Sequence, residues 1–394
     1  MPMMSVWQDM QKLLDELAAA DLLRTPRALE SPCGPHVLIG GRRVVCLCSN
    51  DYLALANDPA VKAAAVAAIE RWGIGAGASR LVSGTMGPHV ELERKLAEFK
   101  KTEAALVTPT GWMANHVAIH ALTRRGDLIV CDKLDHASII DAARSSGATL
   151  RTYPHRDVER LRKLLAKHRR DGRRCLIVTD SLFSMDGDIA PLRELVRLKG
   201  SFDAQLLIDE AHATGVMGAG GRGVAEMLGV EDAVDAVVGT LSKAIGSLGG
   251  FVAGPRVLME TIRNTGRAFI YTTAPPPAIC AAAVAALDII ERQPQRRRKL
   301  LEMAADLRRG LRAAGLATGD SESQIIPVIV GEAADALRLS ARLLEEGFFV
   351  PAIRPPTVPR GSSRLRISLS SAHDPADLLR LTEAVVAAMR AGGA

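Results

Sequence analysis

Gln205-Leu206-Leu207-Ile208-Asp209-Glu210-Ala211-His212 and, one strand–helix–strand traverse later, Ala236-Val237-Val238-Gly239-Thr240-Leu241-Ser242-Lys243 follow one plan. Each opens on a short apolar run and closes on residues that carry chemistry. A run of this length, bounded by turn-forming residues, reads as a buried strand and not as a helix. Runs that are apolar on both faces are expected where helices cover both sides of a parallel sheet.

Working outward, the same reading predicts strands over 104–108, 128–131, 149–153, 175–179, 205–208, 236–240 and 250–253. Helical patterns lie between and after them, among them 88–100, 191–199 and 278–291. Alternation of this kind predicts an α/β fold with a mostly parallel, seven-stranded sheet. The large domain is expected over 51–291, preceded by an N-terminal helix and extension, 1–50, with the helix over 9–23. A smaller C-terminal α+β domain is expected over 292–394, with strands at 325–330, 348–351 and 364–369.

Ligands of such sheets bind beyond the carboxyl ends of the strands. The residues there are Thr108-Pro109-Thr110-Gly111-Trp112, Asp132-Lys133-Leu134-Asp135-His136, Ser181 through Asp188, Asp209 through His212 and Thr240 through Lys243. One edge thus receives a lysine, a carboxylate, two histidines, hydroxyls and a glycine turn. A pyridoxal-phosphate site needs this inventory. A lysine forms the Schiff base, a carboxylate keeps the pyridine nitrogen protonated, a flat group covers the ring, and main-chain N–H groups cradle the phosphate. Singly, each residue has an ordinary structural explanation; the conjunction points to the cofactor.

Composition excludes other classes. Lys and Arg number 50 against 44 Asp and Glu, a mild excess. The basic clusters Arg169-Arg170, Arg173-Arg174 and Arg296 through Lys299 have no interleaved aromatics, so no nucleic-acid partner is expected. The six cysteines, 33, 46, 48, 131, 175 and 280, form no C-x-x-C pair and read as thiols of a reducing compartment. Residues 1–10 lack the apolar core of a signal peptide, and 274–290 is too short and proline-rich to span a bilayer. A cytoplasmic protein without membrane contact is expected. Asp209-Glu210-Ala211-His212 spells a helicase motif, but no phosphate-binding G-x-x-x-x-G-K-[ST] loop accompanies it. His116 and His120 stand at metal-ligand spacing without a third ligand, so no metal is expected.

Taken together, Ser49-Asn50-Asp51-Tyr52-Leu53, Gly75 through Arg80, Asp135-His136-Ala137-Ser138, Phe183 through Asp188, Asp209 through His212 and Gly239 through Lys243 resemble the α-oxoamine synthases. These are fold-type I pyridoxal-phosphate transferases, and the likeness runs from about residue 7 to 381. It implies that Lys243 carries the cofactor and later moves protons at the amino-acid α-carbon. It implies that Asp209 pairs with the pyridine nitrogen, that His136 stacks on the ring, and that His212 and Ser184 approach the ring hydroxyl. Gly111, Trp112 and Thr240 would hold the phosphate, with Thr272 and Thr273 reaching it from the partner subunit of a homodimer. Arg366, with Asn50 nearby, would bind the amino-acid carboxylate. Trp112 departs from the smaller aromatic common at its position.

The run Ala352-Ile353-Arg354-Pro355-Pro356-Thr357-Val358-Pro359 resembles the branch of biotin synthesis that condenses L-alanine with a pimeloyl thioester. In that branch Arg24 and Thr357 would meet substrate. Whether the donor is pimeloyl-CoA or a pimeloyl-carrier protein stays open. A sister synthase acting on glycine, such as a glycine C-acetyltransferase, is the alternative; a non-catalytic regulatory or assembly relative is the remote one.

Overall fold

The computed structural model describes residues 5–169 and 172–391, so Arg170 of the first basic cluster and residues 1–4 lie outside the described residues. The chain forms two compact units. One comprises 1–49, 185–187 and 302–394, the other 50–184 and 188–301. In chain order the strands are β1 (His36–Ile39), β2 (Arg42–Cys46), β3 (Ala104–Thr108), β4 (Leu128–Asp132), β5 (Thr149–Tyr153), β6 (Cys175–Asp180), β7 (Gln205–Asp209), β8 (Ala236–Thr240), β9 (Gly250–Gly254), β10 (Ile325–Gly331), β11 (Phe348–Phe349), β12 (Ala352–Ile353) and β13 (Ser363–Ser368).

The larger unit is built on a seven-stranded sheet of order β3-β9-β8-β7-β6-β4-β5. β4 through β8 pair in parallel, and β9 runs antiparallel to both its neighbours. All seven strands expected from the apolar runs are present. β4, β6 and β9 are buried along their whole length, as continuous apolar runs require, whereas the edge strand β5 is buried only at Tyr153. Leu106, Ile129, Leu176, Val178, Leu207, Val238 and Val252 form one core with Ala114, Val117, Ala118 and Ile119 of the helix Gly111–Leu122. Sheet and helices hold each other, so the carboxyl edge of the parallel strands is a rigid platform.

The smaller unit holds two three-stranded sheets, β1-β2-β11 and β10-β13-β12. Here the sequence reading is corrected in three places. Of the expected 348–351 strand only Phe348–Phe349 forms one, β11, which pairs in parallel with β2; β12 follows beyond it in another sheet, antiparallel to β13. Pro351 stands between them without an N–H to continue a ladder. β1 falls in a part of the N-terminal extension for which the sequence reading gives no strand; Gly40 and Gly41, both at positive φ, close its hairpin with β2. The first helix is Val6–Ala19 and not 9–23. It starts early because Ser5 and Gln8 form a reciprocal capping box. It stops early because Asp21 turns to φ 57° and the Leu22 and Leu23 amides fold back onto the Leu17 carbonyl.

Candidate active site

The loop after β8 presents Lys243. Thr240 starts it, and its Oγ1 lies 2.6 Å from Ser242 Oγ and donates to the Gly249 carbonyl at 2.8 Å. Leu241 and Gly249 close the loop by a main-chain bond of 2.9 Å. Gly246 receives the turn, its N–H on the Lys243 carbonyl at 2.8 Å and its φ at +71°. A Cβ at Gly246 would stand 2.4 Å from the Ala56 nitrogen, so both conformation and space demand glycine there. Lys243 is therefore carried on a loop with little freedom, half-buried in a cavity of about 160 Å³. Gly111, Trp112, Asn115, His136, Ser138, Asp180, Asp209, His212 and Thr240 line the same cavity.

Asp209 ends β7 almost fully buried. It accepts from the Ala211 N–H at 2.8 Å and from Asn115 Nδ2 at 2.7 Å. The same amide nitrogen donates to Ser138 Oγ at 2.9 Å, and Ser138 Oγ stands 2.8 Å from His136 Nδ1. His136 caps the helix Ala137–Ser145, and its own N–H donates to Asp180 Oδ2 at 2.7 Å. Burial lowers the His136 pKa, opposed by Asp209 and aided by Lys243, so a neutral imidazole faces the cavity. Asp180 sits beside Asp209 in the β6–β7 register. Burial first, then repulsion from Asp209, raises the Asp180 pKa well above the carboxylate range. Asp209 thus offers its carboxylate to the cavity where a pyridine nitrogen would pair with it, beside Asp180, whose carboxyl is held toward its neutral form.

Two observations test the fit to pyridoxal phosphate. The helix Gly111–Leu122 starts at the cavity wall, capped by Thr110, whose hydroxyl takes the Met113 N–H. Its first-turn N–H groups at Gly111 and Trp112 precede the intrahelical ladder and suit a phosphate. Gly250 packs so closely there that a Cβ would stand 2.6 Å from the Gly111 nitrogen, so the glycine keeps β9 against this cradle. The second observation is the acid–imidazole pair itself, which offers a ring nitrogen a carboxylate and a ring face a flat neutral cover. The residues fit the group.

His212 borders the cavity, and its Nδ1 lies 2.6 Å from the hydroxyl of the fully buried Tyr52. Tyr52 donates in turn to Asn50 Oδ1 at 3.0 Å. The sequence motif around Tyr52 does not reveal its role; its place in the chain Asn50–Tyr52–His212 is visible only in the structure. Trp112 stands edge-on to His136, ring centroids 6.0 Å apart, so its indole as well as its main chain borders the site. Ser184 is not among the cavity-lining residues. Thr272 and Thr273 also lie elsewhere: Thr273 bridges to Ser79 of the Gly75–Arg80 stretch, next to the exposed Tyr271.

The Ser181–Asp188 hairpin that carries Ser184 is clamped by His155. Its ring bonds Asp132 at 3.0 Å and Asp188 at 2.7 Å, and packs edge-on against Phe183. Burial opposes the imidazolium, but the two carboxylates outweigh it and push the pKa up to about 9. The charged clamp therefore contributes stability in full below about pH 6.5, the unfolded value, and loses it as pH rises through about 9. His155→Gln is expected to lower stability near pH 6.5 by about 1–3 kcal/mol. It should also flatten the decline of Tm between pH 6.5 and 9. Thermal melts across that range check this; an unchanged slope would show that the clamp does not titrate there.

The remaining expected residues belong to the smaller unit. Arg366 is buried in the central strand β13 and donates to Ser368 Oγ at 2.7 Å. Arg24 is exposed and donates to the Pro355 carbonyl at 3.0 Å. Arg354 answers it by donating to the carbonyls of Asp21 and Leu23. Arg354 is 91% buried, and its Nε finds no partner among the described residues. Arg354 thus holds the chain at Asp21 and Leu23 against the run 352–359 that contains Thr357. Thr357 is exposed, one turn on, with its N–H on the Arg354 carbonyl.

A larger hollow of about 440 Å³ beside Lys100 and Glu210 contains none of the expected residues. His116 and His120 stack at 4.1 Å, and among the described residues no three His, Cys, Asp or Glu side chains are grouped to hold a metal ion. Among the same residues no helix is long and apolar enough to cross a membrane.

A model of the family "aminotransferase class I and II" matches residues 42–385. The 8-amino-7-oxononanoate synthase of Geobacter sulfurreducens is 50% identical over 374 residues, 94% of this chain and 95% of that protein. Among solved structures, Sphingomonas wittichii serine palmitoyltransferase superposes with a TM-score of 0.94 at 35% identity, covering 99% of both chains. A serine palmitoyltransferase solved with PLP superposes at 0.91 with 34% identity, over 98% of this chain and 97% of that one.

Proposed function

The chain belongs to the aminotransferase class I and II family, and on that premise we propose that it joins L-alanine to a pimeloyl thioester. Carbon dioxide and the free thiol leave, and 8-amino-7-oxononanoate forms for biotin synthesis. The observation that carries this reading is identity of 46–50% over nearly the full length to relatives named for that reaction. The chain is an α-oxoamine synthase, and its cofactor is pyridoxal 5'-phosphate. A cytoplasmic homodimer, with Thr272 and Thr273 completing the partner's phosphate site, is part of the proposal.

Bound pyridoxal phosphate supplies an electron sink for charge that develops at the amino-acid α-carbon. Lys243 would hold the cofactor aldehyde, Asp209 the pyridine nitrogen, and Gly111, Trp112 and Thr240 the phosphate. His136 would cover the ring face, with His212 and Ser184 toward the ring hydroxyl. Arg366 would grip the alanine carboxylate in a two-pronged bond and Asn50 would also serve the substrate, leaving the α-hydrogen to Lys243. The Lys243 amine would then take that proton and later return one to the product carbon. Arg24, Arg354 and Thr357 would meet the far end of the acyl chain, where a dicarboxylic acyl group still carries a carboxylate.

The test is a product screen. Cofactor-loaded protein receives alanine, glycine or serine, each with acetyl-, succinyl-, palmitoyl- or pimeloyl-CoA, and mass spectrometry reads the products. An amino ketone from alanine and the pimeloyl ester alone is expected. Turnover of serine with palmitoyl-CoA, or of glycine with a short acyl group, would assign a sister reaction and overturn the substrate reading.

A further inference from the structure

We propose that Asn115 and Ser138 form a positioning relay that locks Asp209 and His136 into one geometry and fixes which nitrogen of His136 carries the proton. The proposal rests on reading the cavity around Lys243 as the cofactor site.

The donors and acceptors run one way. Asn115 must turn its NH₂ toward the Asp209 carboxylate, 2.7 Å away, because the flipped amide would set two acceptors face to face. That NH₂ also donates to Ser138 Oγ. The Ser138 hydroxyl uses one of its two lone pairs on that amide, and it donates its proton to His136 Nδ1 at 2.8 Å because the main chain already makes that nitrogen an acceptor. The Ser138 N–H donates to the same nitrogen at 3.3 Å. Two donors on Nδ1 leave the imidazole proton on Nε2.

This arrangement carries a cost that packing alone does not explain. Asn115 is 1% exposed, and its Oδ1 finds no partner among the described residues. A buried, unsatisfied carbonyl is destabilising, and an apolar residue of similar shape would avoid it. The retained amide instead joins three elements by its nitrogen: its own helix Gly111–Leu122, the end of β7, and the start of the helix Ala137–Ser145. Asp180 holds the His136 main chain from the other side, so the side-chain angle is what remains for Ser138 to set.

Retention of cofactor by the full-length, cofactor-loaded protein provides the test, followed by visible absorbance on dilution. Ser138→Ala is expected to weaken retention about 3–10-fold, and Asn115→Ala, which strips Asp209 as well, about 10–100-fold. Ser138→Thr, which keeps the hydroxyl, should restore retention. The decisive comparison is the double variant: if Ser138 acts through His136, Ser138→Ala adds nothing in a His136→Ala background. The pH at which the visible band changes should also shift in Ser138→Ala and Asn115→Ala, which a purely structural role would not require. Full additivity of the two alanine variants, or normal retention in Ser138→Ala beside weakened retention in His136→Ala, overturns the relay. Normal retention in His136→Ala itself would remove His136 from the cofactor, so the cavity reading would fail first and the relay with it.

Discussion

Lys243→Ala is expected to abolish turnover and the visible absorbance of cofactor-loaded protein while leaving the fold intact. The expected loss of rate is at least about 10⁴-fold, because one amine is asked both to hold the cofactor and to move the α-proton. The fold should survive because Lys243 is a half-buried side chain on a loop whose shape is set by others. Thr240, Leu241, Gly246 and Gly249 make the bonds that close it. Alanine at 243 takes none of these away. Far-ultraviolet dichroism and Tm should match the parent, and added cofactor should dialyse away faster. A variant that keeps the visible band would mean that another lysine carries the cofactor. Lys100 would be the first to suspect: it is buried, and burial brings its pKa down to about 8. Its nitrogen, however, is occupied by Thr214 and the Arg222 carbonyl, and it lines a different hollow.

How far the sequence could be read follows from what each feature depends on. Most strands of the large sheet were legible because burial on both faces writes a continuous apolar run, as in Leu176-Ile177-Val178, whereas the edge strand β5, buried only at Tyr153, is marked instead by the β-formers Thr149, Thr152 and Tyr153. Asp209, His136 and Lys243 were legible because the strand ends they follow converge on one edge by topology alone. Asn115 was not, because nothing in a helix reading separates a polar residue facing solvent from one facing a cavity. A signal was there: Asn115 lies one turn beyond Gly111, so it shares the face that starts at the phosphate cradle. Ser138, too, stood in a quoted motif without a role. The short strands of the smaller unit failed for another reason. Two-residue ladders such as β11 and β12 carry no period, and the partner strand decides which sheet each joins. Gly40-Gly41 between Ile39 and Arg42 was the missed hairpin signal for β1.

Fold likeness and sequence likeness do different work here. A serine palmitoyltransferase shares the fold at a TM-score of 0.94, yet at 35% identity, whereas the relatives at 46–50% are 8-amino-7-oxononanoate synthases. The scaffold is common to both names, so it leaves substrate choice to side chains grafted on it. On the reading proposed above, those side chains would be Arg24, Arg354 and Thr357 at the acyl end and Arg366 at the amino-acid end.

Arg366→Ala is expected to weaken alanine binding by about 30–150-fold while changing cofactor retention little. The estimate is the loss of a two-pronged, charge-assisted bond to a carboxylate, about 2–3 kcal/mol. Arg366 is nearly fully buried in the centre of a three-stranded sheet, so alanine also leaves a hole in β13. Arg366→Lys separates the two effects. It keeps the charge and most of the volume but loses the fork, so stability should stay close to the parent while alanine affinity still falls. Alanine titrations of cofactor-loaded protein, read by the change in visible absorbance, give the affinity without requiring turnover. If both variants bind alanine as the parent does, Arg366 is a structural arginine held by Ser368, and the carboxylate is gripped elsewhere. If Arg366→Lys binds normally and Arg366→Ala does not, a point charge suffices and the two-pronged geometry is wrong. Only a fall in both, with cofactor retained in both, places the guanidinium on the substrate carboxylate.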